Sequence, residues 1–202
     1  MRTMIAVPCL DTVHTLFLTS VLSRRKAEGT EISVASCSLV YDARHDLALR
    51  AMNMGFDRVL WLDSDMRFDP DLMERLSADL DDGHEFVSAV YFTRKTPCRP
   101  CVYGYVDTKT RTNGVMYPAA ENITEIPDGI FEIAGCGFGA VMMTTDLIRH
   151  AGPLPFFPEA GFGEDLTFCR KARAAGAKLM CDGRIHVDHI GTSIINEKQW
   201  RR

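Results

Sequence analysis

The sequence predicts an α/β fold: a mixed, mostly parallel sheet flanked by helices, built as a single domain. Three observations predict it. Short apolar runs alternate with helix-period segments through the first half, and such alternation implies βαβ units with right-handed crossovers. The run Val59-Leu60-Trp61-Leu62 is apolar throughout, as strands buried on both faces are. The length of 202 residues suits one domain with a substantial core.

Met4 to Pro8 reads as the first strand. A helix follows over Thr12 to Glu28, with Asp11 as N-cap and Gly29 past its end. Glu31 to Cys37 reads as a second strand. Asp42 to Met54 has helical spacing and stops at Gly55. The Val59–Leu62 strand comes next. Asp69 and Pro70 then open a helix that runs through Leu80. Glu85 to Thr93 is a fourth strand. Residues 94–130 are rich in Pro, Gly, Thr and Asn, with strand candidates at Cys101 to Val106 and Gly114 to Tyr117. Ile130 to Ala134 and Phe138 to Thr144 are further strands. Gly161-Phe162-Gly163 precedes a helix from Glu164 to Ala175, and Lys178 to Cys181 and Ile185 to Ile190 close the pattern. The expected plan is a nucleotide-binding half, residues 1–93, and a mixed half, residues 94–202, that completes the sheet and supplies the second wall of a cleft.

Apolar content of 46% and charged content of 25% are those of a globular chain. The formal charge of −4 carries no basic footprint for nucleic acid. No apolar run approaches the roughly 20 residues that span a bilayer. The N-terminus opens on a strand-like segment, which predicts no secretory signal. Seven scattered cysteines fit reduced thiols and a cytoplasmic location. Cys98 and Cys101 form a C-x-x-C with no second pair behind it. A structural zinc site needs four ligands, so the pair reads as two ordinary thiols.

Three constellations carry chemistry. Asp63-Ser64-Asp65 follows the apolar run, at the strand end where ligands gather in open α/β sheets. In an extended strand, i and i+2 share one face, so both carboxylates can address one cation. Two close like charges need such relief, and hard divalent ions share oxygen ligands with substrate phosphates. A D-x-D can also be a phosphoenzyme nucleophile, but that version sits on a first strand with Thr close behind. Here Met66-Arg67-Phe68 follows. Second, Glu164-Asp165 sits in a first helical turn behind two glycines. It serves either the helix dipole or as a general base at a cleft rim. Third, His186-Val187-Asp188-His189 ends a late strand. The two imidazoles face opposite sides of an extended segment, and His189, beside Gly191, is the better metal ligand.

In this order and spacing, the three motifs resemble those of glycosyltransferases of the GT-A (Rossmann-like) fold, near glycosyltransferase family 2. Ala43-Arg44-His45-Asp46-Leu47-Ala48 is similar to the A-R-N-x-L-A helix start of small phage and bacterial members. The run from Gly135 to Met142, before a Thr-initiated helix, resembles the family's acceptor-side element.

The resemblance implies a transferase moving a sugar from a nucleotide-sugar donor to an acceptor hydroxyl, with inversion, on a glycan, protein or modified base. It implies that Asp65 and His189 hold Mn²⁺ or Mg²⁺, and that Asp63 contacts ribose or completes the metal shell. Asp165 becomes the catalytic base and Glu164 its orienting partner. Arg44 becomes a nucleotide or phosphate contact, or a structural ion pair. Pro8-Cys9-Leu10-Asp11 stands where the family has Pro-x-x-Asn, so Pro8 and Asp11 are expected at the nucleotide. The family's D-D-x-S run is replaced by Cys37-Ser38-Leu39-Val40. Two alternatives stand beside this reading. One is a nucleotidyltransferase-like enzyme, whose basic Gly-rich loop is missing after the first strand. The other is a non-catalytic protein, such as a phage particle component, that retains the fold.

Overall fold

The computed structural model describes residues 1–25, 27–191, 194–195 and 197–200. Its first half contains β1 (Thr3–Cys9), α1 (Thr15–Ser23), β2 (Thr30–Ser36), α2 (Val40–Asn53), β3 (Arg58–Leu62), β4 (Met66–Arg67), α3 (Leu72–Asp81) and β5 (Phe86–Val90). A hairpin follows, β6 (Val102–Thr110) and β7 (Met116–Asn122), then β8 (Ile130–Ile133), β9 (Gly135–Cys136) and β10 (Ala140–Thr144). Helices α4 (Thr145–His150) and α5 (Glu164–Ala174), strands β11 (Leu179–His186), β12 (Asp188–Ile190) and β13 (Ile194–Ile195), and α6 (Glu197–Trp200) complete it.

Seven strands form the central sheet in the order β2-β1-β3-β10-β5-β11-β8. Strands β2, β1 and β3 are mutually parallel, and β11 is parallel to β5. Only β10, between β3 and β5, and β8, on the β11 edge, run antiparallel. The mixed, mostly parallel sheet expected from the sequence is therefore present, with the second half inserting β10 into its middle.

Side chains alternate across this sheet as strand geometry requires. Met4, Ala6, Val59 and Trp61 face a layer that includes Leu47 of α2, Leu147 of α4 and Phe168 of α5. Ile5, Val7, Leu60 and Leu62 face the opposite layer, with Phe17 of α1 and Leu76 of α3. Both faces are covered, which is why β3 is apolar at every position after Arg58. Among the described residues no helix is long and apolar enough to cross a membrane.

Local details depart from the sequence pattern. The first helix is nine residues, not the expected Thr12 to Glu28. His14 caps it instead of Asp11: its Nδ1 accepts the Leu16 N–H at 3.1 Å. Arg24 then turns extended at ψ 147° and ends it, five residues before Gly29. Helix α3 begins at Leu72, because Asp69 and Pro70 form a turn ahead of it. The strand candidates of residues 94–130 lengthen into the β6–β7 hairpin, which β9 joins to make a three-stranded sheet. A second small sheet, β13-β12-β4, lies at the end of β3 and sets the site.

Candidate donor and metal site

Beyond Leu62 the chain leaves the sheet. Asp63 N–H still bonds the Gly139 carbonyl at 3.2 Å, and Met66 N–H closes a turn on the Asp63 carbonyl at 3.1 Å. The Asp63–Asp65 pair therefore sits on a turn rather than on one face of an extended strand, which corrects the sequence expectation. The turn sends the two carboxylates to different partners. Asp63 Oδ1 takes Arg44 Nη2 at 2.7 Å. Asp65 Oδ2 takes Arg94 Nη1 at 2.9 Å and lies 3.4 Å from His189 Nε2.

The small sheet holds His189 there. Met66 pairs with His189 and Arg67 with Asp188, while Ile190 N–H bonds the Asp65 carbonyl at 2.8 Å. His189 Nδ1 donates to the Phe92 carbonyl at 2.9 Å, and the Tyr91 ring packs edge-on against the imidazole at 5.4 Å. The bond at Nδ1 orients the ring so that Nε2 faces Asp65. His186 is turned elsewhere, with Nε2 on the Gly183 carbonyl and Nδ1 beside Glu197.

Arg44 is the surprise. Its side chain is 2% exposed and spans Asp63 and Glu164, the latter at 3.2 Å from Nε. The guanidinium also lies over Phe138 at 5.3 Å and Trp61 at 5.7 Å, a favourable cation–π geometry. Burial works against its charge, but Asp63 and Glu164 more than offset it and hold the pKa above the ordinary value. Arg44 is thus an internal tie between the β3 turn and α5.

Helix α5 starts at Glu164 behind Gly163, and the Asp165 carboxylate accepts the Leu166 N–H at 2.7 Å. Burial first, and then the neighbouring Glu164 charge, push Asp165 up to about 6. Burial also raises Asp63, and Arg44 offsets only part of that rise. Burial acts on Asp65 too, but His189 and Arg94 outweigh it and hold that carboxyl below the usual range. The glycines from Gly135 to Gly139 admit close neighbours. A Cβ at Gly137 would collide with the Tyr91 hydroxyl and come 3.5 Å from Asp165 Oδ2.

A cavity of about 390 Å³, within the range of small-molecule sites, is lined by Pro8, Arg44, Asp63, Asp65, Arg94 and His189 among others, while Asp165 stands behind its neighbour Glu164 and outside the lining. Glu164 lines it as well, whereas Asp11 is exposed and outside the lining. Sequence reasoning missed Arg94 and Tyr91. Arg94 follows the C-terminal end of β5, so the strand-end rule that singled out Asp63 would have found it.

Among the described residues no group of three His, Cys, Asp or Glu side chains is gathered as a closed cage. Asp65 and His189, with Nε2 facing the carboxylate at 3.4 Å, fit the two-ligand type of site whose shell is completed by substrate oxygens and water.

No protein-family model matches the chain, and no curated protein matches it. Solved structures do. A197 from STIV shares 20% identity at a TM-score of 0.70, over 95% of this chain and 86% of that one. GalNAc-T7, solved with UDP, GalNAc and Mn²⁺, shares 11% identity at a TM-score of 0.62, over 94% of this chain. TarS 1-349 of S. aureus shares 12% identity at a TM-score of 0.54, over 90% of this chain. The chain spans 43% of the GalNAc-T7 chain and 58% of the TarS chain. At these identities the likeness establishes the fold, which is GT-A-like.

Proposed function

We propose that this chain is a metal-dependent glycosyltransferase that moves a sugar from a nucleotide-sugar donor to an acceptor hydroxyl with inversion. The observation that carries this reading is the Asp65–His189 pair at 3.4 Å on the cavity wall. It lies at the strand end where α/β sheets bind ligands, in a fold shared with GalNAc-T7, which was crystallised with UDP and Mn²⁺.

In this reading residues 1–93 form most of the donor side and residues 94–202 the acceptor side, with His189 and Glu164 reaching across. Asp65 and His189 would hold Mn²⁺ or Mg²⁺, with the imidazole aimed by its Nδ1 bond to the Phe92 carbonyl. Once bound, the ion supplies Lewis-acid charge to the departing diphosphate. Asp63 has Oδ1 committed to Arg44 and takes the ribose side with Oδ2. Pro8 packs against the nucleoside. Asp165, partly buried at the head of α5, accepts the proton of the acceptor hydroxyl as its oxygen attacks the anomeric carbon and the bond to diphosphate breaks. A single displacement of this kind inverts that carbon. A carboxyl near 6 is ionised at neutral pH yet basic enough to take a proton. Glu164, fixed by Arg44, keeps the helix start in place.

The test is a thermal-shift screen of nucleoside diphosphates and nucleotide-sugars with and without Mn²⁺, since ligands that bind the native state raise stability. One diphosphate should shift the midpoint only with metal present. Asp65→Asn should abolish that shift and slow transfer on the order of a thousandfold, the several kcal/mol that metal charge stabilisation supplies. Full turnover in Asp65→Asn would remove the metal from the mechanism. No binding across the panel would favour the non-catalytic alternative.

A further inference from the structure

The Arg94 side chain stands where a cation on Asp65 would stand. Its Nη1 lies 2.9 Å from Asp65 Oδ2, the same oxygen that His189 Nε2 approaches, and also donates to the Ile190 carbonyl at 3.2 Å. An ion held by Asp65 and His189 would draw on the carboxylate that His189 faces, and a divalent ion beside the Arg94 guanidinium on that carboxylate would meet strong repulsion. Arg94 is also built to leave. It sits just beyond β5 with its side chain 50% exposed, whereas Arg44, which lines the same cavity, is 2% exposed and fixed between two carboxylates. The cavity sets Asp63, Asp65 and Glu164 against Arg44 and Arg94, so an anionic diphosphate meets a wall with net negative charge. A guanidinium released from Asp65 is a planar fork suited to phosphate oxygens.

We propose that Arg94 is the resting counter-ion of Asp65 and becomes a ligand of the donor diphosphate when a divalent cation takes that carboxylate. The inference rests on the function proposed above. Its consequence is a coupling. The cation must displace Arg94 to bind alone, and a diphosphate that captures the released guanidinium removes that cost. Metal and diphosphate then tighten each other's binding by the same factor, as linkage requires. Arg94 thereby makes the site selective for the metal–diphosphate pair over either part.

The experiment measures the Mn²⁺ retained by the protein in equilibrium dialysis, with and without inorganic pyrophosphate on both sides of the membrane. Wild type, Arg94→Ala, Arg94→Gln and Asp65→Asn are compared. Removing one exposed ion-pair partner should tighten Mn²⁺ binding roughly two- to fivefold in both Arg94 variants without pyrophosphate. The gain that pyrophosphate gives the wild type should shrink in both. If Asp65→Asn abolishes Mn²⁺ binding while the Arg94 variants bind Mn²⁺ like wild type or more weakly, the role of Arg94 is overturned and the metal site stands. If Asp65→Asn binds Mn²⁺ unchanged, the metal site fails and the Arg94 role fails with it. The side chain is on the surface, so both Arg94 variants should melt with the wild type.

Discussion

Asp165 at the head of α5 and Asp79 on α3 are both carboxyls pushed up to about 6, in each case by burial first and a neighbouring carboxylate second. Each belongs to a cluster that joins carboxylates to arginine. Their wiring differs. Around Asp79, the fork of Arg184 closes on Asp182 with two bonds of 2.8 Å, from a residue only two positions away, and reaches Asp79 at 3.7 Å. Arg75 caps the Arg184 carbonyl at 2.8 Å. The cleft cluster draws on Arg44, the Asp63–Asp65 turn, Arg94, the head of α5 and His189, all distant in sequence. A carboxyl of raised pKa marks a functional site only in probability. Here the distinguishing features are convergence of remote segments on a cavity and a carboxylate oxygen claimed by both a guanidinium and an imidazole.

The sharpest way to break this contrast is Asp165→Asn. As a general base, Asp165 should be worth about 10²–10⁴ in turnover, with donor affinity retained. Wild-type turnover should climb as pH rises through about 6 and then level off. Stability should move the other way. The folded-state pKa lies above the unfolded value, so the favourable neutral form is fully present at acid pH and is lost as pH rises through about 6. Above that, the native state carries a buried charge that Asn lacks. The variant should melt roughly 3–6 °C higher at pH 7.5, corresponding to about 1–2 kcal/mol. An unchanged rate would return Asp165 to the same class as Asp79.

Arg44→Met probes the tie between the two sides of the cleft. Removing one partner of a buried pair leaves uncompensated charge and costs about 3–5 kcal/mol. Here both Asp63 and Glu164 lose their partner. Urea unfolding at pH 7.5 should show that loss. It should narrow at acid pH, because burial raises the Asp63 carboxyl and its protonation removes one of the uncompensated charges. A loss under 1 kcal/mol at pH 7.5 would mean that water reaches the pair and that Arg44 is not the tie described here.

Much of this frame could be read from residue order. The apolar run ending in Asp63-Ser64-Asp65 gave β3 and its position, because a strand buried on both faces leaves no other pattern. The glycine-led Glu164-Asp165 gave the start of α5, because helix starts have local chemistry. Tertiary partners were not legible. Nothing in the spacing of Arg44 distinguishes a phosphate contact from a buried tie, since the choice depends on where α5, some 120 residues later, comes to rest. The two-residue strand β4 carries too little periodicity to see, yet its pairing with β12 puts His189 beside Asp65. The first helix was overread because its spacing continues past Ser23, while His14 and the extended Arg24 set its ends.

The smallest expected effect is the control on the other cluster. Asp79→Asn keeps an N–H donor toward Asp182, so the local bonding survives. The folded-state pKa of Asp79 is raised to about 6, so its neutral form stabilises the native state at acid pH and that contribution disappears as pH climbs through 6. The Asn variant should therefore melt above the wild type only on the alkaline side. Discounted for solvent screening, the difference is about half a kcal/mol, or roughly 1–2 °C at pH 8. Transfer rate and Mn²⁺ affinity should stay at wild-type values, because Asp79 is fastened through Arg184 and Asp182 rather than through the cleft. A fall in turnover in this variant would erase the distinction between the two clusters and move the search for the reacting groups toward α3 and β11.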